Sequence, residues 1–216
     1  MKYELVIFDL DGTLLDTLDD LTRAVNHALS LQGFPLRQSA EVRRMIGNGI
    51  ATTMRRAIPE DSGVEASRQA LEDFKSYYLS HVNVFTRPFD GIPALLDAMG
   101  HAGILAAVNS NKVDSATRAL CEAHLPGKLA CVLGERSDLP RKPAPDGALQ
   151  IIRQLGAKPE RTLYVGDGET DIQTALNAGI DCAWVAWGYR RLSELGGLDV
   201  PHAFDTVQSL QSFILG

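Results

Sequence analysis

The chain opens on an unbroken apolar run, Leu5-Val6-Ile7-Phe8, with no polar alternation. Such a run reads as a strand buried on both faces, as in a parallel sheet. From Thr17 the period changes. Leu18, Leu21, Val25, Ala28 and Leu29 recur at helical spacing and form one stripe, which Gly33 ends. Thr17 is placed to cap that helix, and Asp19 and Asp20 to favour its positive first turn. Further helices are expected over residues 39–46, 50–58 and 63–82, and no stretch between residues 17 and 85 has a strand pattern.

Pro88-Phe89-Asp90-Gly91 breaks the helical period. Apolar strands at 104–108, 130–133, 162–165 and 182–185 then alternate with helices at 92–99, 114–124, 145–155, 171–178 and 207–215. That alternation predicts an α/β fold with a doubly wound parallel sheet, and the first strand belongs with it. Residues 1–16 and 87–216 are therefore expected to form the α/β core. Residues 17–86 form an inserted all-helical domain of about 70 residues, joined by two connections, as suits a hinged lid.

The 216 residues suffice for one large domain or two modest ones. A composition 45% hydrophobic and 22% charged is that of an ordinary globular protein. The net charge of -6 leaves no basic footprint for nucleic acid, and any phosphate site must be built locally. No apolar run approaches the roughly 20 residues of a membrane span, and Met1-Lys2-Tyr3-Glu4 carries no leader pattern. Cys121, Cys131 and Cys182 are odd in number and far apart, which predicts reduced, buried thiols in a cytoplasmic protein.

Polar residues gather where the strands end. Asp9 and Asp11 follow the first strand, and Asn109-Ser110-Asn111-Lys112 follow the strand through Val108. Gly166-Asp167-Gly168-Glu169-Thr170-Asp171 follow Val165, and Lys142 stands beside Pro143 before a helix. In a parallel sheet these groups converge on one edge. Asp9 and Asp167 are hard oxygen ligands suited to Mg2+, which would offset their repulsion. Ser110, adjoining amides and Lys142 can hold phosphate oxygens. A carboxylate that attacks phosphorus gives an aspartyl-phosphate, and a second acid two residues on can protonate the leaving oxygen. An EF-hand reading of Asp9 to Asp20, or from Asp167, fails because Leu14 and Ile172 stand where the loop needs Gly. Gly47-Asn48-Gly49 reads by itself as a helix–helix turn, Arg43-Arg44 and Arg55-Arg56 as solvated faces, and the five histidines as structural or surface residues.

Taken together, Asp9-Leu10-Asp11-Gly12-Thr13, Ser110-Asn111, Lys142-Pro143 and Gly166-Asp167 with Asp171 resemble the four motifs of haloacid dehalogenase superfamily phosphatases with a helical cap after the first strand. Each motif alone is weak; the ordered set, covering essentially the whole chain, is specific. The resemblance implies Asp9 as nucleophile and Mg2+ ligand, and Asp11 as general acid/base that also offers its carbonyl to the metal. It implies Ser110 on the transferring phosphoryl, with Asn111, Gly12 and Thr13 around it, and Lys142 bridging phosphoryl and Asp9. Asp167 ligates Mg2+, and Asp171 holds the metal directly or through its outer shell. Trp187-Gly188-Tyr189, Pro88-Phe89-Asp90-Gly91 and Gly47-Asn48-Gly49 resemble the phosphoglycolate phosphatase branch, which implies that Gly47 and Asn48 touch substrate from the cap. Gly168 departs from the Ser or Thr common after the motif's Asp, and Asn109 from the small or apolar residue common before Ser110.

The expectation is thus a cytoplasmic, Mg2+-dependent phosphomonoester hydrolase for a small phosphorylated metabolite, acting as monomer or homodimer without nucleic acid or membrane. A sugar-phosphate mutase, a pyrophosphatase or a nucleotidase on the same scaffold stays open. A non-catalytic module would be expected to have lost Asp9, Asp11 or Lys142, and all three are present.

Overall fold

A computed structural model describes residues 2–216; Met1, the first residue of the N-terminal stretch read above, lies outside the described residues. Its main sheet has six parallel strands. The apolar run forms β1 (Leu5–Phe8), all four residues buried. The other members are β4 (Leu105–Val113), β5 (Cys131–Glu135), β6 (Thr162–Gly166), β7 (Asp181–Val185) and β8 (His202–Phe204), in the order β5-β4-β1-β6-β7-β8. From β1 the chain winds outward through β4 to β5, then returns and winds the other way through β6 to β8. The switch point lies at β1, and its carboxyl end is where such sheets bind ligands. Register fixes what meets there: Phe8 pairs with both Val108 and Val165, so Asp9 emerges level with Asn109 and Gly166.

Helices α5 (Ile92–His101), α6 (Asp114–His124), α7 (Asp146–Leu155), α8 (Glu169–Ala178) and α9 (Val207–Leu215) flank the sheet. Leu5, Ile7, Ala107, Ile151, Tyr164 and Ile172 belong to the apolar layer beneath the strand ends. Burial at about 25 cal/mol per Å2 makes this layer the rigid base on which the polar edge is held.

The chain divides into two compact units, one running to Asp16 and resuming at Pro88–Gly216, the other Thr17–Arg87. The second holds α1 (Leu18–Leu31), α2 (Ser39–Met45), α3 (Ile50–Ala57) and α4 (Gly63–Ser80). Its own core includes Leu21, Val25, Ala28, Met54, Phe74 and Tyr78. Thr17 occupies the N-cap position of α1 but makes no side-chain cap bond. Asp20 does not simply face the α1 dipole. Its buried carboxylate accepts from the Val84, Phe85 and Thr86 amides at 2.9–3.1 Å and from Thr86 Oγ1 at 2.8 Å, tying the end of this unit to its start.

Three departures from expectation have three separate causes. β4 continues past Val108 through Asn109-Ser110-Asn111-Lys112, because these polar residues are buried at the strand end and need ladder partners. The two-residue strands β2 (Leu15–Asp16) and β3 (Arg87–Pro88), which form a separate sheet, are too short to show a period. The edge strand β8 has only three half-exposed or exposed residues, so it lacks the apolar signature of the buried strands.

Candidate active site

Lys142 sits at the centre of the carboxyl edge. Its side chain is only 3% exposed, and its Nζ lies 2.9 Å from Asp9 Oδ1 and 2.7 Å from Asp171 Oδ1. Burial works against its charge, but Asp171 and Asp9 outweigh burial and hold the ammonium well above the usual lysine range. Asn111 secures the lysine from the main chain: its Oδ1 accepts from the Lys142 amide at 2.9 Å and its Nδ2 donates to the Lys142 carbonyl at 3.1 Å. The Asn111 side chain, expected around phosphate, thus engages the Lys142 main chain with both its oxygen and its nitrogen.

Asp167 closes the other side. Trp184 Nε1 donates to its carbonyl at 2.8 Å, and the Tyr189 amide to its Oδ2 at 2.6 Å. Thr13 Oγ1 lies 3.4 Å from Asp167 Oδ1, and Trp187 Nε1 donates to the Thr13 carbonyl at 3.1 Å. Gly12, at φ 85°, approaches so closely that a Cβ on it would stand 2.7 Å from Asp167 Oδ2. Gly12 and Thr13 thus support Asp167 here. Asp171 lies in the first turn of α8, where its Oδ2 accepts from Gly168 N at 3.1 Å and complements the helix dipole.

Asp9, Asp167 and Asp171 each offer an oxygen within 4.8 Å of the others. Burial, together with the charges of Asp171, Asp167 and Asp11, pushes Asp9 up to about 8 against the pull of Lys142. Burial and Asp171 push Asp167 up to about 7, against the Tyr189 amide and Arg190. Three buried acids sharing one ammonium are short of positive charge. Hard carboxylate oxygens at this spacing fit a divalent hard cation, and Asp9, Asp167 and Asp171 are the residues that could hold it.

Ser110 is buried at the end of β4, its Oγ accepting from the Lys112 amide at 3.2 Å. Asn109 is buried too, and packs against Gly147, where a Cβ would stand 2.6 Å from its Oδ1. Asp11 meets a partner that the motif reading passed over. Lys112 Nζ is 2.8 Å from both Asp11 oxygens, and its side chain is 2% exposed. The sequence shows only a lysine directly after Ser110-Asn111; its burial follows from β4 running on to Val113. Gly47 and Asn48 lie in the turn between α2 and α3, within the other unit, with Gly47 at φ 112°.

An open parallel sheet whose switch point presents this carboxylate–lysine edge defines a doubly wound α/β protein with its polar site at the strand ends. The haloacid dehalogenase-like hydrolase family matches residues 6–185, and the chain belongs to that family. It is 34% identical to a phosphoglycolate phosphatase of Mesorhizobium japonicum, over 88% of this chain and 85% of that one. It is 33% identical to an N-acetylmuramic acid 6-phosphate phosphatase of Pseudomonas aeruginosa, over 88% of this chain and 84% of that one. A solved structure from Lactobacillus delbrueckii subsp. bulgaricus, described as a candidate phosphoglycolate phosphatase, superposes with a TM-score of 0.95 at 35% identity, covering 100% of both chains.

Proposed function

We propose that the protein is a Mg2+-dependent phosphomonoester hydrolase working through an aspartyl-phosphate, with 2-phosphoglycolate as its leading substrate. The observation that carries this reading is Lys142 bridging Asp9 and Asp171 while Asp167 completes the acid cluster and Asp11 stands two residues on. Asp9, Asp167, Asp171 and the Asp11 carbonyl would hold Mg2+, which would supply charge neutralisation for the phosphate oxygens.

Asp9 attacks phosphorus in line. The bond from phosphorus to the leaving oxygen breaks, and that oxygen takes the proton of Asp11. In the second half a water attacks phosphorus and gives its proton to Asp11, the bond to Asp9 breaks, and inorganic phosphate leaves. Ser110 and amides around Gly12 grip the phosphoryl, while Lys142 favours the ionised form of Asp9 and aims it. Asn111 serves by fixing Lys142. Positioning and charge neutralisation supply most of the rate. The helical unit is the proposed lid, and Gly47 and Asn48 are its proposed substrate contacts. Three buried thiols without disulfides support a cytoplasmic setting.

A second substrate reading has support in the 33% identity to the N-acetylmuramic acid 6-phosphate phosphatase. A phosphate-release panel decides between them: 2-phosphoglycolate, N-acetylmuramic acid 6-phosphate, pyrophosphate, nucleoside monophosphates and sugar phosphates, with and without Mg2+, compared by kcat/KM. Absence of Mg2+-dependent phosphate release from every member would refute the hydrolase reading, and release of an isomer in its place would make the protein a mutase.

A further inference from the structure

Two buried ammonium groups divide the acids at the sheet edge. Lys142 takes Asp9 and Asp171, whereas Lys112 takes Asp11, with Nζ 2.8 Å from each of its oxygens. The division follows the sheet. β4 and β6 flank β1 on opposite sides; Asp167 and Asp171 come from beyond β6, and Ser110 and Lys112 come from β4. Lys112 therefore draws the Asp11 carboxyl toward the Ser110 side and away from the acid cluster, where Lys142 would otherwise compete for it. The Lys112 side chain has almost no exposed surface, so it is placed to hold a protein group.

We infer that Lys112 is a positioning residue for the general acid/base: it fixes the side from which Asp11 reaches the leaving oxygen. The inference rests on the phosphatase reading above. Both halves of the reaction are compatible with the contact, because one Asp11 oxygen can accept from the ammonium whether the other carries a proton or not. In the first half the proton passes from the Asp11 oxygen that faces the leaving oxygen to that oxygen. In the second half the same oxygen receives a proton from water. A buried ammonium without its carboxylate is costly, so the pair also keeps Asp11 from swinging between rotamers.

Leaving groups separate positioning from a merely structural role. p-Nitrophenolate departs without a proton, whereas an alkoxide needs Asp11. The first-turnover release of the leaving group is therefore measured for p-nitrophenyl phosphate and for the alkyl phosphate that the unaltered protein turns over fastest. With Lys112→Met, the alkyl rate falls tenfold or more while the nitrophenol rate stays within about threefold, in keeping with the 10²–10⁴-fold reach of general acid catalysis. An equal fall on both substrates, or no fall on either, overturns the inference while leaving the phosphatase reading intact. Failure of the unaltered protein to release phosphate from any substrate overturns the phosphatase reading itself. If Lys112→Met does not fold, Lys112→Arg takes its place. It keeps the charge but shifts the carboxyl with its longer fork, and the alkyl-to-nitrophenyl ratio falls at least threefold; an unchanged ratio overturns the inference.

Discussion

Gly188 lies so close to Asp167 that a Cβ added to it would stand 2.3 Å from the Asp167 Cβ, and 2.4 Å from the Gly12 carbonyl. Both obstacles are parts of the site and neither is a flexible tip. Gly188→Ala must push Asp167 or the Gly12 turn aside, and the next residue, Tyr189, loses the geometry of its 2.6 Å bond to Asp167 Oδ2. We expect kcat/KM to fall at least 100-fold, with the Mg2+ concentration for half-maximal activity raised tenfold or more. Displacements near 1 Å have such effects on positioned groups. Steady-state kinetics over a Mg2+ series reads both quantities; normal Mg2+ dependence would mean that Asp167 has not moved.

Asp9→Asn is expected to abolish turnover, since the amide cannot form an acyl phosphate. It should also alter stability in a direction opposite to most core changes. Burial and the neighbouring acids raise Asp9 to about 8, so in the metal-free fold its proton is bound more tightly than in the unfolded chain. Between about pH 4 and pH 8 the native state binds more protons than the unfolded state. Metal-free stability therefore falls as pH rises through that window. Asn carries no charge, so the variant should lose the Asp9 share of this slope, keeping that of Asp167, and melt a few °C above the unaltered protein at pH 8 in chelator, while gaining less from added Mg2+. Thermal melts at pH 5 and pH 8, with and without Mg2+, test both parts. A lower melting temperature for the variant at pH 8 in chelator would contradict the charge argument.

At the start of β7, far along the strand from the site, Asp181 behaves in the opposite sense. Burial alone would raise it, but hydrogen bonds from Lys2 and Tyr3, the Cys182 amide and the charge of His202 outweigh burial and bring it down to about 2. A depressed acid contributes stability above its unfolded value near 3.8, and that stability is lost as pH falls toward 2. Lys2 is more than half exposed, so screening reduces the gain; Asp181→Asn should cost about 1 kcal/mol at pH 7. The cost should shrink below pH 4, with kcat/KM within twofold throughout. Urea unfolding at pH 7 and pH 3 reads the difference, and an equal loss at both would remove the charge from the explanation.

The strands that build the site were legible because a parallel strand buried on both faces is written as a continuous apolar run, as Leu5–Phe8 and residues 163–165 show. Asp9, Lys142, Asp167 and Asp171 were legible because their chemistry is set by type and order along the chain. Partnerships were not. Nothing in the spacing tells that Asp20 binds the amides of residues 84–86, 64 to 66 positions away, or that Asn111 reaches Lys142, 31 positions on. Such pairings depend on the packed fold. Lys112 illustrates the remaining gap: a lysine reads as exposed by default, and only burial on an extended β4 makes it a partner of Asp11.

The Asn111–Lys142 clamp yields a prediction that separates two roles for the same side chain. If Asn111 grips phosphate, its loss should raise KM and leave stability alone. If it fixes Lys142, its loss strips a buried amide and a buried carbonyl of their partners at 2.9 and 3.1 Å. Unpaired buried backbone groups cost roughly 1–3 kcal/mol each, although local relaxation recovers part of this. Asn111→Ala should thus destabilise the fold by about 2 kcal/mol. Its kcat should fall roughly tenfold to 100-fold, because the Lys142 ammonium loses its fixed position beside Asp9. KM for the best substrate should change less than kcat. Asn111→Asp keeps the acceptor for the Lys142 amide but loses the donor and adds a fourth acid beside Asp9, Asp167 and Asp171, so it should be less active than Asn111→Ala. Kinetics of both variants beside their unfolding curves decide the matter: a pure KM effect with unchanged stability would return Asn111 to the phosphate.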